Sequence, residues 1–183
     1  INNRDQRWHD VWRVNVVTGD RELVEQNDRF GSFVADLDLN VRLALAPTPD
    51  GGQMVFKRQA KGDWAEFLKI EKDDSLTSAP IAFTGDNTHF LMLDSSGRDK
   101  SALLMVNVDT DERTVVAESD VGDINEAILD PQTNEPLAYA VNYQRTEWFG
   151  LNDTVSKDLA RLRDALTDYP DLEHTTEVDR LLD

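Results

Sequence analysis

Short runs of strand-forming residues, broken at close intervals by turn residues, fill the chain to about Gly150, and no long helical period interrupts them. Val11-Trp12-Arg13-Val14-Asn15-Val16 alternates apolar and polar side chains and reaches Thr18-Gly19-Asp20. Arg21-Glu22-Leu23-Val24-Glu25 then resumes the pattern, as in a β-hairpin. Residues 41–46 run into the loop Pro47-Thr48-Pro49-Asp50-Gly51-Gly52, and segments 53–58 and 63–68 flank a turn at Lys61-Gly62. Residues 80–83 lead through Gly85-Asp86-Asn87 to 89–93, and Ser95-Ser96-Gly97-Arg98-Asp99 turns into 102–108. Segments 114–117, 127–129 and 137–143 continue the theme. Such a chain folds as antiparallel β structure.

The strands also recur as a set. Val14-Asn15-Val16-Val17-Thr18-Gly19-Asp20-Arg21 matches Val106-Asn107-Val108-Asp109-Thr110-Asp111-Glu112-Arg113, 92 residues later, or two periods of 46. An intermediate copy is expected near Lys61-Gly62. A four-stranded unit recurring every ~40–50 residues has the spacing of a β-propeller blade. A β-sandwich also has turns at short intervals but supplies no reason for a self-match at this period. The expectation is a mainly-β chain, a partial β-propeller of four-stranded antiparallel blades, with residues 1–150 forming an arc of about three to four blades. The first unit is incomplete, two are full and one is interrupted, so a closed ring is not expected. An arc cut from a larger propeller leaves open strand edges and apolar faces, and the isolated chain is expected to self-associate through them. The chain begins with Ile1 rather than Met, from which removal of preceding residues is expected.

After the strands, Val155, Leu159, Leu162 and Leu166 recur at helical spacing. They predict an amphipathic helix over 151–170, capped at Asn152 or Asp153 and stopped at Tyr169-Pro170. Its stripe of four aliphatics is expected to pack on its own domain. Residues 171–183 are expected to start a further strand or form a tail.

Composition narrows the chemistry. With 19 Lys+Arg against 36 Asp+Glu the net charge is −17, which argues against nucleic acid and anionic membrane surfaces as partners. No apolar run reaches the ~20 residues of a membrane helix, no signal peptide opens the chain, and no localisation follows. Cysteine is absent, which removes disulfides, thiolate metal sites and thiol nucleophiles. Gly31-Ser32 and Ser96-Gly97 lack the flanking glycines of a nucleophile elbow, and Gly51-Gly52 reads as a turn rather than a phosphate loop. His9, His89 and His174 are dispersed. Asp36-x-Asp38-x-Asn40 opens like a calcium loop, but Val41 stands where Gly is needed and Pro47 where Glu is needed. The cluster Asp109-Thr110-Asp111-Glu112 suits a hairpin tip. Asn152-Asp153-Thr154 is a glycosylation sequon only in a secreted eukaryotic setting. No catalytic, cofactor-binding or metal residue is assigned, no cofactor is expected, and this chain alone is not expected to be an enzyme. Trp8, Trp12, Trp64 and Trp148 are expected to pack between neighbouring blades. Asn3-Arg4-Asp5 and Gly97-Arg98-Asp99 are expected to make ion pairs within the fold.

These pieces together resemble a known family. Asp10-Val11-Trp12-Arg13-Val14-Asn15-Val16-Val17-Thr18-Gly19-Asp20-Arg21-Glu22-Leu23 resembles the blade hairpin of prolyl oligopeptidase family serine peptidases, and Pro47-Thr48-Pro49-Asp50-Gly51-Gly52 resembles the Pro-Asp-Gly loop of the same blades. Leu93 to Leu103, then Val106-Asn107-Val108-Asp109-Thr110, looks like a later blade of bacterial members. The segment from Tyr139 to Trp148 followed by a helix also fits, so that the likeness covers roughly residues 1–170. The resemblance implies a propeller that caps an α/β-hydrolase domain and admits short peptides to it. The Ser, Asp and His that cleave the bond would lie in that hydrolase domain, and no position here matches them. The implied role is a non-catalytic gate, with the hydrolase domain and short peptides as partners. The alternative is a propeller scaffold for protein–protein interaction.

Overall fold

The computed structural model describes residues 1–166, which divide into two compact units, Ile1–Leu76 and a second from Thr77 onward. In the first unit, β1 (Val11–Val14) and β2 (Arg21–Glu25) form a two-stranded hairpin. Strands β3 (Ser32–Ala35), β4 (Val41–Pro47), β5 (Gln53–Arg58) and β6 (Trp64–Ile70) form a four-stranded sheet in chain order. The second unit repeats that sheet with β7 (Ala79–Phe83), β8 (His89–Asp94), β9 (Ala102–Asn107) and β10 (Arg113–Ala117). A three-stranded sheet follows, β11 (Asp123–Leu129), β12 (Pro136–Asn142) and β13 (Thr146–Gly150), and then helix α1 (Asp153–Leu166). Every pairing between these strands is antiparallel. The two four-stranded meanders begin 47 residues apart, at Ser32 and Ala79.

Burial follows position in the sheet. The inner strands β4, β8 and β9 carry runs of buried residues, Leu43-Ala44-Leu45, Phe90-Leu91-Met92 and Ala102-Leu103-Leu104. Strand β10, at a sheet edge, is mostly exposed. In the second unit Leu91, Leu103 and Ala117 pack with Ile124 and Val141, joining the four-stranded and three-stranded sheets through one apolar cluster. Each fully buried Leu or Phe there adds roughly 1.5–3 kcal/mol relative to exposure.

The self-match in the sequence has a structural cause. Asn15 Oδ1 accepts the backbone N–H groups of Val17 and Thr18 at 2.9 and 3.2 Å, and Asn107 Oδ1 accepts those of Asp109 and Thr110, both at 3.0 Å. The fifth residue of each turn enters the left-handed region, Gly19 at φ 78° and Asp111 at φ 59°, and donates back to the Asn carbonyl. Asn, Asp and Gly are the residues that tolerate these requirements. A third copy spans Asp130 to Glu135: Asp130 Oδ1 takes the N–H groups of Gln132 and Thr133, and Asn134 sits at φ 54°. The turn near Lys61-Gly62 is one residue shorter, closed from Gln59 to Asp63 with Gly62 at φ 90°. The β1–β2 hairpin therefore corresponds to β9–β10, the third and fourth strands of their sheet.

Two strands were not expected from the sequence. Ser32-Phe33-Val34-Ala35 lies between two polar turns and is only four residues long, so no alternation develops. In Thr146-Glu147-Trp148-Phe149-Gly150 the apolar residues are consecutive, with Trp148 buried and Phe149 half-buried. The helix begins where expected, with Asn152 Oδ1 accepting the Val155 N–H at 2.9 Å as the cap. Leu159 is buried and Val155 packs beside it against Ala138, Ala140 and Trp148. The stop at Tyr169-Pro170, the segment 171–183 and His174 lie outside the described residues. No helix among the described residues is long and apolar enough to cross a membrane.

Candidate functional site

The polar groups most strongly held in the first unit centre on Asp10. Its side chain is 1% exposed and takes a two-pronged ion pair from Arg4, Nε to Oδ2 at 3.0 Å and Nη2 to Oδ1 at 2.8 Å. The Asn27 N–H also donates to Asp10 Oδ1, at 2.8 Å, while Arg4 Nη2 reaches the Asn27 carbonyl. The Asn27 amide closes the loop around itself, donating to the His9 and Phe30 carbonyls and accepting from the Arg29 and Phe30 N–H groups. Hydrogen bonds from Arg4 and Asn27 hold the Asp10 carboxyl below its ordinary range. Arg4 and Asp5 both make ion pairs within the fold, though not with each other: Arg4 goes to Asp10, and Asp5 pairs with Arg7 at 2.9 Å. In Gly97-Arg98-Asp99, Arg98 pairs instead with Glu118 at 3.1 Å, and Asp99 with Lys100. The partners of Arg4 and Arg98 stand 6 and 20 residues away and leave no mark in local sequence.

The Asp36 carboxylate is committed to its own turn. It accepts the N–H groups of Asp38 and Asn40 and the Asn40 amide, and pairs with Arg42 at 3.1 Å. Burial alone would raise its pKa, but these donors together keep it below the usual value. Glu25, Arg58 and Trp64 form another closed set: Arg58 pairs with Glu25 and lies over the Trp64 ring at 4.5 Å, and the Trp64 indole N–H donates to Glu25 at 3.1 Å. Trp64 also meets Phe30 and Phe33 edge-on or tilted. Trp148 packs beneath α1 rather than between two sheets. The indole N–H groups of both Trp12 and Trp148 are buried and have no hydrogen-bond partner.

In the second unit the arrangements nearest to catalytic chemistry are a hydroxyl cluster and one Asp–His pair. Ser95 Oγ bonds Thr77 Oγ1 at 2.7 Å and Ser78 Oγ at 3.1 Å, and Ser101 Oγ donates to the Thr77 carbonyl at 2.9 Å. Ser78, Ser95 and Ser101 are all buried, and Ser78 Oγ also accepts the Ser95 N–H at 2.9 Å. His89 Nδ1 lies 2.5 Å from Asp86 Oδ2 and 3.1 Å from Thr88 Oγ1, so carboxylate and hydroxyl meet the same ring nitrogen. Its Nε2 faces the Asn107 amide at 3.3 Å. A triad needs carboxylate and nucleophile on opposite ring nitrogens, so this constellation cannot relay a proton as one. Burial opposes ionisation of Asp86, but the His89 and Thr88 donors outweigh it and hold the carboxyl well below its usual range. An open recess of about 230 Å³ lies among Arg98, Asp99, Lys100, Glu118, Ser119 and Asp120, with its cations paired to acids on its own rim. Among the described residues no three His, Asp or Glu side chains converge as a metal site.

No family model matches the chain. Among curated proteins it is similar to dipeptidyl aminopeptidase BIII of Pseudoxanthomonas mexicana, 36% identical over 163 residues, which is 88% of this chain and 24% of that protein. It is also similar to dipeptidyl peptidase family member 6 of Caenorhabditis elegans, 29% identical over 172 residues, 88% of this chain and 23% of the relative. The chain therefore spans about a quarter of the length of the curated relatives it matches. Both relatives are prolyl oligopeptidase-family peptidases, and over the region it shares with them the chain belongs to that family.

Proposed function

We propose that this chain is a non-catalytic stretch of β-propeller in a longer prolyl oligopeptidase-type serine peptidase. In this reading it restricts access to an α/β-hydrolase domain, admitting short peptides and excluding longer ones. The observation that carries the reading is the recurrent four-stranded antiparallel meander, joined by like turns, in a chain that aligns with about a quarter of two dipeptidyl peptidases. The polar groups support it from the other side, because carboxylates, cations and hydroxyls are spent on each other and on turns.

The test is labelling by a fluorophosphonate, which reacts with activated serines. The 183-residue chain is expected to take no label, while the longer protein takes one equivalent at a serine outside residues 1–183. Stoichiometric labelling within the chain would overturn the reading. A second reading, a propeller scaffold for protein–protein interaction with no peptidase domain, is favoured by the β1–β2 hairpin tip, where Val16 and Val17 are 94% and 90% exposed. A reading frame that ends near Asp183 would select it. A downstream Gly-x-Ser-x-Gly with later Asp and His would select the peptidase.

A further inference from the structure

Among the described residues the sheet β11–β12–β13 has three strands where β3–β6 and β7–β10 have four, and helix α1 packs against β13. The Leu151 N–H donates to the Leu137 carbonyl at 2.8 Å, which sets the alternation along the strand. Residues 147, 149 and 151 turn their backbone groups toward β12, and Thr146, Trp148 and Gly150 turn theirs outward. An outward row of this kind is a template for a further strand. Here the helix takes two of its acceptors. The Arg163 guanidinium donates to the Trp148 carbonyl, and Ser156 Oγ donates to the Gly150 carbonyl at 3.3 Å. The approach is close because residue 150 has no Cβ: one placed there would stand 2.5 Å from the Ser156 nitrogen and 2.8 Å from its Cα. Val155 and Leu159 then anchor the helix on Ala138, Ala140 and Trp148.

We propose that α1 is an edge plug: it covers outward carbonyls of β13 and prevents a strand of a second copy from pairing there. The sequence carries the device as Gly150, Ser156 and Arg163, at the end of the strand, in the first turn of the helix and near its end. The blocked reaction is strand addition, whose specificity lies in main-chain hydrogen bonds rather than in side chains.

The test uses the 183-residue chain and the double variant Ser156→Ala/Arg163→Ala, with Gly150→Val as a second route to the same undocked helix. Undocking is read as faster hydrogen exchange at the Leu159 amide. Association is read by sedimentation velocity at micromolar concentrations. Undocked variants are expected to associate at least tenfold more tightly than the parent chain. Adding Thr146→Pro, which removes an outward donor of β13 but no bond to β12, is expected to return them to the parental value. Undocked variants that associate no more than the parent would overturn the proposal. Association that persists with Thr146→Pro would also overturn it, since apolar surface exposed by the helix would then be the cause.

Discussion

Replacing Leu103 by Ala is expected to lower the stability of the second unit by about 3 kcal/mol and its thermal midpoint by about 12 °C or more. Leu103 is fully buried in β9 and touches the cluster of Leu91, Ala117, Ile124 and Val141 that joins the four-stranded and three-stranded sheets. Its loss removes apolar contact from both sheets and leaves a cavity between two backbones tied by the Ile124 N–H to Ser101 carbonyl bond at 3.1 Å, which restrains collapse. The control is Val115→Ala in β10, 44% exposed, which is expected to change stability by less than about 0.5 kcal/mol. Calorimetry of the three proteins checks the pair. Equal effects from the two substitutions would show that the cluster is not what holds the sheets together.

Asp36→Ala is expected to cost about 3 kcal/mol in the first unit. The carboxylate is 2% exposed and serves four donors, the N–H groups of Asp38 and Asn40, the Asn40 amide and the Arg42 guanidinium, so its removal takes an acceptor from each of them, the half-buried Arg42 included. Asp36→Asn, which keeps an acceptor, is expected to cost less. The effect depends on pH with a defined sign. The folded-state pKa lies below the ordinary 3.8, so the contribution is fully present above that value and is lost as pH falls through the lowered folded pKa. The difference in midpoint between parent and Asp36→Ala is therefore expected to be constant from pH 7 to about 5 and to shrink below about 4. A difference that grows toward low pH would contradict the geometry. Asp5 and Asp50, both drawn down to about 2 by neighbouring donors, add to the same acid sensitivity of the unit.

The strands that were legible in the sequence are those whose ends are set by local chemistry. The hairpins at Asn15 and Asn107 announce themselves because an Asx side chain, a Thr and a residue tolerant of positive φ must stand at fixed offsets. The turn from Asp130 to Pro136 is legible as a turn, but its likeness to the other two is masked by Asp130 where they open on Asn and by Asn134 where they have Gly19 and Asp111. Strand β3 was too short to show a period, and β13 gains its place from β12 and α1 rather than from its own pattern. The polar architecture was least legible. Arg4 to Asp10, Arg58 to Glu25, Arg98 to Glu118 and Arg113 to Asp94 are partnerships across 6 to 33 residues, made by the fold and invisible to adjacency. The absence of a nucleophile elbow, by contrast, is a property of the sequence itself.

The proposed gate would make activity depend on peptide length, and a ladder of substrates tests it most directly. The longer protein that contains this chain would be given a series of peptides with one shared N-terminal dipeptide and increasing length, and kcat/KM measured for each. The account predicts efficient release of the dipeptide from peptides of a few residues and a steep fall as the substrate lengthens, while reactivity toward a small fluorophosphonate stays unchanged. A kcat/KM independent of length up to folded proteins would contradict it.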